Sequence, residues 1–436
     1  MVYRSPRRRC FLEVAMVVLV LLAFLGGCCS KRLFSESAKC PRAAPSAHIL
    51  ACDIVVVNSE SLEKANRLSV QLPDDGVITI RRTAIIKSGT RTLVWRGKPE
   101  GAGFSRAIFS VVNDAVVGTV LTNDGRMYRL RKTPQGNRVF ERLQNKAYQV
   151  RDNAEKEPKD LELLSRHPRQ LSTACGAPSA TCETDSPDQI DVMVAYTPAA
   201  LFEAGGENEM AAWIRRAEDE TNDSYSNSGV LQRIRVLPSA QIVQYVEKDI
   251  SADLNALINK CDEKMDEVHK WRDDAGADLV VLITHNPSDG TAGYAYTLQS
   301  EHIGNQLFER KAFAVVQQEH FSAPGYVFAH ELGHLMGAQH DEQSSPGRRG
   351  AFTYSHGHVN LTPTPPCTKK WKTIMSEDSC CTTFGYWSAP MNSPDACGDP
   401  MGNASAEANA TTLNKSASTV ANFRCSSPPL PTQQNE

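Results

Sequence analysis

Hydrophobic and polar positions divide the chain into regions with different patterns. Residues 14–27 form an unbroken apolar run, residues 53–150 contain short alternating segments such as VITIRRTAII, and longer apolar segments alternate with helical ones from residue 188 onward. Alternation with a period of two, interrupted by Gly, Asp and Asn, is typical of half-buried strands and their turns. We therefore predict a β-rich N-terminal domain at residues 53–150.

The second half of the chain has the pattern of an α/β domain. The segments IDVMVAYT, ADLVVLIT and AFAVVQ predict buried strands, and NEMAAWIRRAEDETNDSYSNSG has apolar residues at helical spacing until Gly229 ends the helix. Residues 250–274 are predicted to form one further helix, and a histidine-containing helix is expected to begin near Pro324. Strands that alternate with helices imply a mixed sheet with crossover connections.

The N-terminus has the features of an export signal. A basic start, RSPRRRC, precedes the apolar run, whose fourteen residues span about 21 Å and are too short for a comfortable membrane helix. The run ends in LGGC at residues 25–28, which resembles the lipobox of bacterial lipoproteins. This resemblance implies a cell-envelope protein that is held at the membrane by a lipid on Cys28. A soluble secreted protein, cut nearby, is the alternative.

The remaining segments complete a predicted division of the chain. Residues 151–187 are first charged and then rich in Ser, Thr and Pro, as linkers are. The predicted parts are a signal peptide at 1–27, a tether at 28–52, the β-rich domain at 53–150, a linker at 151–187, the α/β domain at 188–425 and a flexible tail at 426–436.

Composition indicates a folded protein that does not bind nucleic acid. With 436 residues, 41% of them hydrophobic, the chain can bury a large core. Its net charge is -3 and its basic residues are dispersed beyond the N-terminus, so no cationic surface for nucleic acid is expected.

The thirteen cysteines predict disulfides, as expected of an exported protein. Cys10 would leave with the signal peptide and Cys28 would carry lipid, which leaves an odd number, eleven. We expect Cys29 to stay unpaired. Cys40 and Cys52 could close a small loop, and the pairing of the other eight is open.

The segment HELGHLMGAQHD, residues 330–341, predicts a metal site. His330 and His334 are four residues apart, so a helix places them one turn apart, where both imidazoles can bind one metal ion. Gly337 can adopt the left-handed conformation that ends a helix, which allows the chain to return His340 as a third ligand. Three histidines leave one tetrahedral position of Zn²⁺ open for water, as in catalytic sites. We therefore predict one zinc ion per chain.

Glu331 is the predicted general base of this site. It lies about 100° around the helix axis from His330, where it can accept a proton from a metal-bound water. The alternative, a surface helix with scattered histidines, requires six specified residues at six positions by chance, which is expected on the order of once in a million such chains.

The motif H-E-x-x-H-x-x-G-x-x-H resembles that of the metzincin zinc peptidases, and Asp341 after it resembles the reprolysin (adamalysin) branch. The segment TIMSEDSC supplies Met375 for the methionine turn of that family, and Glu377 stands where some metzincins have a zinc-reaching tyrosine. Asp341 is expected to anchor the site rather than to react. Further segments, including DVMVAYTPAA, YVFAHELGHLMGAQHD and YWSAP, are similar to bacterial reprolysin-like peptidases, among them the peptidyl-Asp metalloendopeptidases.

This resemblance implies a fold and an activity. The expected fold is an α/β metzincin-like catalytic domain, a mixed twisted sheet with long helices and zinc on the active-site helix, preceded by the β-rich domain. The expected activity is hydrolysis of peptide bonds in proteins or peptides by a zinc-activated water, with Glu331 as the base. The β-rich domain resembles a propeptide, which would make the chain a zymogen.

Two segments bear on the cysteines that the family resemblance implies. The chain has Thr291, Ala292 and Gly293 where the resemblance predicts a Cys-Gly pair, so one family disulfide is in doubt. The segment CGAPS at Cys175 resembles the cysteine switch that caps zinc in some zymogens. A structural disulfide, with Cys182 or another cysteine, is the alternative for Cys175.

The resemblance also implies cleavage on the amino side of aspartate, which requires a cation in the pocket for the residue after the scissile bond. The candidates are Lys369, Lys370 and Lys372 before the methionine turn, and Arg348 and Arg349 after the zinc motif. The alternative is that all five are solvated loop charges.

Other functions and sites stay open from sequence alone. The chain could be a lipid-anchored binding protein with an inactive zinc-peptidase domain, or a hydrolase of non-peptide amides. His356 and His358 could form a second metal site, but are more typical of ordinary loop histidines.

Overall fold

The computed structural model describes residues 30–41, 48–74, 76–101, 104–144, 185–238, 240–285, 290–322, 324–365, 369–378, 381–393 and 398–425. The predicted signal peptide, Cys28, Cys29, Cys175 and the tail therefore lie outside the described residues, as does nearly all of the predicted linker. Among the residues described, no helix is both long and apolar enough to cross a membrane.

The N-terminal part is a ten-stranded sheet with one short helix, α1 (Ser59–Lys64). Its strands are β1 (Lys31–Arg32), β2 (Phe34–Lys39), β3 (Ile49–Val57), β4 (Arg67–Leu72), β5 (Gly76–Lys87), β6 (Thr92–Pro99), β7 (Arg106–Val112), β8 (Ala115–Leu121), β9 (Met127–Lys132) and β10 (Arg138–Leu143). The strand order is β1-β4-β5-β6-β7-β8-β9-β10-β3-β2. Because β1 and β2 form the two ends of this order and are separated by Leu33 alone, residues 31–39 close the sheet on itself.

The predicted tether at residues 28–52 is wrong where the structure describes it. Residues 31–39 pair with β4 and β3, and β3 begins at Ile49. All but the first residue of β2 are exposed, so this strand is held by backbone pairing with β3. Its polar sequence, FSESAK, has no apolar alternation from which a strand could be predicted. The predicted disulfide Cys40–Cys52 is present and joins the residue that follows β2 to the fourth residue of β3, with Cα atoms 5.4 Å apart.

The second part is built on a six-stranded sheet with five strands in the order β12-β11-β14-β16-β15, and β13 beside β11. The strands are β11 (Gln189–Tyr196), β12 (Arg233–Val236), β13 (Gln241–Ile242), β14 (Leu279–Thr284), β15 (Gly293–Ala295) and β16 (Phe313–Gln317). All pairs are parallel except β15 with β16, so β15 is an antiparallel edge strand. A small sheet contains β17 (Val359–Asn360), β18 (Trp371–Lys372) and β19 (Thr382–Thr383).

The helices of this part alternate with the strands, as the pattern predicts. They are α2 (Pro198–Ala204), α3 (Glu207–Asn227), α4 (Ile250–Ile258), α5 (Asp266–Ala275), α6 (Gln318–Phe321), α7 (Val327–Leu335) and α8 (Asn409–Val420), with 3₁₀ turns at Ser300–His302 and Leu307–Lys311. The buried core includes β11, β14 and β16 and also takes in Ala115 and Val117 of β8. The N-terminal part also has a separate core of its own, so the two parts are joined by apolar contacts at β8.

The single helix predicted at residues 250–274 is two helices, α4 and α5. Between them Cys261 and Glu263 have positive φ angles, 72° and 63°. The Asp266 carboxylate accepts hydrogen bonds from the backbone N–H groups of both, at 2.9 and 3.3 Å, and so stabilises the break. The prediction fails because apolar spacing continues across a turn that a polar side chain holds.

Candidate metal centre and substrate cleft

Helix α7 carries the histidine motif and is fixed at both ends. Tyr326 precedes it with a φ of 60°, and Gly337 follows it with a φ of 88°, the left-handed conformation predicted for this glycine. In the middle of the helix, a β-carbon on Gly333 would lie 2.7 Å from Met375 Sδ and 2.7 Å from the Trp387 ring. The absence of a side chain at Gly333 therefore lets the Met375 loop pack directly beneath the histidines.

The three predicted ligands converge through their Nε2 atoms. His340 Nε2 lies 3.1 Å from His330 Nε2 and 3.0 Å from His334 Nε2, and all three rings are buried. Within the described parts of the chain, this is the one cluster of three His, Cys, Asp or Glu side chains that could hold a metal ion. The chain reversal at Gly337 brings His340 back, as its position in the motif predicts.

Hydrogen bonds at the opposite ring nitrogens orient these imidazoles. His330 Nδ1 lies 2.9 Å from the Ile374 carbonyl oxygen and His334 Nδ1 lies 3.0 Å from that of Ala338, while His340 Nδ1 is 3.0 Å from Ser345 Oγ. A carbonyl oxygen only accepts, so Nδ1 carries the proton and the Nε2 lone pair faces the centre. Convergent nitrogen lone pairs repel one another without a cation and suit zinc, for which imidazole is a preferred ligand.

Glu331 lies in a space that Gly293 leaves open. The side chain is fully buried, and a β-carbon on Gly293 would be 2.2 Å from Glu331 Oε1. Gly293 is the first residue of the edge strand β15, so the carboxylate lies between the histidine helix and the beginning of that strand. The Thr291-Ala292-Gly293 sequence thus departs from the expected Cys-Gly pair while placing a glycine where the carboxylate needs room.

Asp341 ties the third histidine to the Met375 loop. Its Oδ1 accepts from Ser344 N–H and its Oδ2 accepts from Glu377 N–H, both at 3.0 Å. Glu377 in turn brings Oε2 to 3.3 Å from His340 Nδ1. These contacts give Asp341 the anchoring position expected of it.

Among the described residues, His356 and His358 belong to no group of potential metal ligands and instead hydrogen-bond to neighbouring loops. His356 Nδ1 is 2.9 Å from the His340 carbonyl oxygen, and His358 Nδ1 is 2.9 Å from Glu407 Oε2. Both therefore support the loops around the centre.

A cavity of about 450 Å³ opens beside the centre. Thr297 and Gln339 are on its wall; Thr297 Oγ1 lies 3.2 Å from His334 Nδ1, and Gln339 accepts from the His340 backbone N–H at 2.8 Å. Lys311, Arg348 and Arg349 also line it. Sequence reasoning missed the contributions of Gly293, Thr297 and Lys311, because a strand of three residues has no periodic signal and these residues lie far from the motif.

The five cationic candidates for an aspartate pocket lie in different places. Lys369 and Lys370 are exposed, and Lys369 donates to the Asn123 carbonyl of the N-terminal part at 3.1 Å. Arg348 and Arg349 line the cavity. Lys372 alone among the five is buried; its Nζ donates to the Asp378 carbonyl at 2.8 Å, and burial lowers the pKa of its ammonium to about 8.

Comparisons with known proteins agree with this geometry. Residues 186–388 match the Reprolysin_5 family, described as metallo-peptidase family M12. A peptidyl-Asp metalloendopeptidase of Stenotrophomonas maltophilia (strain R551-3) is 33% identical over 315 residues, which cover 71% of this chain and 69% of that protein. One of Xanthomonas campestris pv. campestris is 30% identical over 342 residues, 78% of this chain and 74% of that protein.

Among solved structures, metalloproteinase-II from Bacteroides fragilis is 14% identical, with 63% of this chain and 81% of that chain covered and a TM-score of 0.35. The range that matches the Reprolysin_5 family, residues 186–388, contains all three converging histidines, Glu331 and Met375.

Proposed function

The chain belongs to metallo-peptidase family M12 and is a metzincin-like zinc metalloendopeptidase, and we propose that His330, His334 and His340 hold one zinc ion and that Glu331 is the general base. The observation that carries the proposal is the convergence of three Nε2 atoms beside a buried carboxylate. Zinc supplies a polarised scissile carbonyl and an acidified water when it is bound.

The chain's own residues then perform the proton transfers and hold the substrate. Glu331 accepts the proton of the attacking water and returns it to the leaving amine. Hydrogen bonds from Nδ1 to backbone carbonyl oxygens keep the His330 and His334 rings in position during the reaction. The outer side of β15 can pair with an extended substrate, which would place a peptide across the centre.

We further propose a preference for aspartate after the scissile bond, as the names of the relatives suggest. Lys372 is the candidate cation for this pocket, because it is buried in the strand that leads to Met375, close to Glu377 beside His340. A buried ammonium discriminates a carboxylate from an amide more strongly than an exposed one does.

Export, lipid attachment to Cys28 and synthesis as a zymogen complete the proposal. The Cys40–Cys52 disulfide supports an extracytoplasmic location, because such bonds persist in oxidising compartments. The closed β-rich part and the domain at residues 188–425 would be the propeptide-like and catalytic parts. Mass spectrometry of the mature N-terminus tests the lipid, and an unmodified N-terminus beyond Cys28 would contradict it.

The test of the catalytic proposal is the Glu331→Ala variant. After proteolytic maturation between the two parts, the wild-type protein should contain one zinc ion and hydrolyse casein, whereas the variant, treated in the same way, should keep the metal and lose at least about 10² in rate, because only the base is removed. Glu267→Ala, at an exposed helix position, is the control and should keep full activity. Matured wild-type protein that binds zinc and leaves casein and peptides intact would instead favour the lipid-anchored binding protein.

A further inference from the structure

The cavity beside the metal centre has a cationic lining. Lys311, Arg348 and Arg349 contribute positive charge, against one carboxylate, Glu301. Lys311 Nζ lies 5.3 Å from the centre of the Tyr296 ring, which also lines the cavity. This cation–π contact holds the ammonium at the cavity wall.

The two arginines are on a loop that is fixed against the active-site helix. Gln299 Nε2 donates to the Arg349 carbonyl at 2.9 Å, and Ala351 N–H donates to the Gly337 carbonyl at 2.8 Å. A β-carbon on Gly350 would lie 2.3 Å from that same carbonyl oxygen, so the loop approaches the end of α7 as closely as a glycine allows. The backbone that carries Arg348 and Arg349 is therefore held in place before a substrate binds.

The position of Glu331 sets the direction in which a substrate crosses this wall. The base must protonate the leaving amine, so the part of the substrate after the scissile bond extends past Glu331 and the adjacent Gly293. The cavity begins at Tyr294, the residue after Gly293, and extends in the chain direction to Thr297, which contacts His334. A peptide paired with β15 therefore places the residues before the scissile bond in the cationic cavity.

We infer that this cavity is a subsite for an acidic side chain on the amino-terminal side of the scissile bond. The inference rests on the proposed endopeptidase function and is separate from the aspartate preference after the bond, which involves Lys372 on a different segment. The enzyme would thus favour substrates with carboxylates on both sides of the cut.

The test uses the matured protein, cleaved between the two parts, and peptides with a fixed Asp after the scissile bond. Asp, Asn or Leu is placed at each of the three preceding positions, and cleavage sites are identified by mass spectrometry. Asp should raise kcat/KM about three- to tenfold over Asn at one or more of these positions, mainly through KM, because partly exposed charge pairs give modest energies. The gain should diminish in 0.5 M salt.

Arg348→Gln combined with Arg349→Gln should bring the Asp to Asn ratio close to one. Lys311→Gln is a second variant for the same purpose. Arg310→Gln is the matched control, because Arg310 is an exposed neighbour of Lys311 that is not part of the lining. Equal cleavage of Asp and Asn peptides at all three positions, or a ratio that survives in the double variant, would overturn the inference.

Binding separates this inference from the proposed catalysis. The same peptides are titrated into Glu331→Ala, with fluorescence anisotropy as the measurement. Tighter binding of peptides with Asp before the cut supports the subsite even if no variant of the chain is hydrolytic. Absence of this difference, with hydrolysis intact, refutes the subsite and leaves the endopeptidase.

Discussion

Gly293 has no side chain beyond a hydrogen atom, and this leaves space for the carboxylate of Glu331, the proposed base. Gly293 has no positive φ angle, so its value here is steric and not conformational. Helix α7 has little freedom to shift away from Gly293, because Gly333, on the face opposite Glu331, is packed against Met375 and Trp387.

Gly293→Ala should therefore displace Glu331 while leaving the histidines in place. We expect kcat to fall at least about tenfold, because even small misplacement of a catalytic group is costly, with zinc content unchanged. Steady-state kinetics and metal analysis check this. Gly290→Ala, where an added β-carbon meets nothing within 4 Å but the φ angle is 72°, controls for a general loop effect. Wild-type kcat in Gly293→Ala would remove the steric argument.

Aspartate selectivity should depend on the protonation of Lys372. Burial lowers the pKa of this ammonium to about 8 against the opposing effect of Glu377, Asp341 and Asp378. The charged form exists below that pKa, so the preference for Asp over Asn, roughly 10² in kcat/KM, should be lost as pH rises through about 8.

Lys372→Met should abolish the Asp over Asn preference at neutral pH, whereas Lys270→Met, at an exposed lysine, should preserve it. Peptides that differ only in Asp, Asn or Leu after the scissile bond provide the measurement. A preference that is constant from pH 6 to 10 would exclude Lys372 as the cation.

The convergence of the three histidines could be predicted from sequence, because the spacing of residues within a helix and its following turn determines which side chains lie close together. The helix fixes His330, Glu331 and His334 relative to one another, and Gly337 allows the return of His340. Gly293 and Thr297 could not be predicted, since they reach the centre only through the pairing of a distant strand.

At the scale of elements, helix α5 places a histidine in the core of the catalytic domain. His269 packs on Phe313 of β16 with ring centroids 5.1 Å apart, and burial lowers its pKa to about 4 from 6.5. An unfolded chain binds the proton below about pH 6.5, whereas the folded protein resists it until about pH 4. The free energy of unfolding therefore falls as pH decreases through this window.

Replacement of His269 by Leu should remove this contribution to the pH dependence of the free energy of unfolding. Relative to wild type, the variant should gain about 2 kcal/mol in the free energy of unfolding when the pH is lowered from 7.5 to 5.0. Urea unfolding of both proteins in EDTA at the two pH values measures the change, with any constant packing effect cancelling in the difference. An identical pH dependence for both proteins would contradict the burial of a neutral imidazole.

Central elements followed the sequence pattern more closely than edge elements did. Buried strands such as β14 and β16 are continuous apolar runs, which hydrophobic periodicity detects. The exposed strand β2 and the three-residue strand β15 are held by backbone pairing, and the α4–α5 break depends on a side-chain cap. Patterns of apolar residues carry little information on these features.

At the scale of the whole molecule, the N-terminal part docks on helix α3 through buried charges. Arg96 donates two hydrogen bonds to the Asp219 carboxylate, at 2.6 and 2.7 Å, and also contacts Asp223. Arg106 contacts Asp223 and the hydroxyl of Tyr326, the residue before α7. The docking surface therefore extends to the beginning of the active-site helix.

A cut between the two parts should leave them associated. A protease recognition sequence placed between residues 151 and 160 allows cleavage of the folded chain, and we expect both fragments to elute together in gel filtration. Arg96→Glu should release the N-terminal fragment, since it leaves Asp219 buried against a like charge. A non-reducing gel excludes a disulfide as the link. Separate elution of the wild-type fragments would refute stable docking.

Closure of the N-terminal sheet by residues 31–39 has a consequence for the protein's location. If Cys28 carries a lipid, only about 10 Å of chain separates that residue from the first strand at Lys31. The β-rich part would then lie directly at the membrane surface and would be attached through residues 31–39, which close its sheet. Any force or protease that frees the enzyme by acting on residues 31–39 would also open the sheet, so release without unfolding requires a cut nearer the lipid or beyond residue 143.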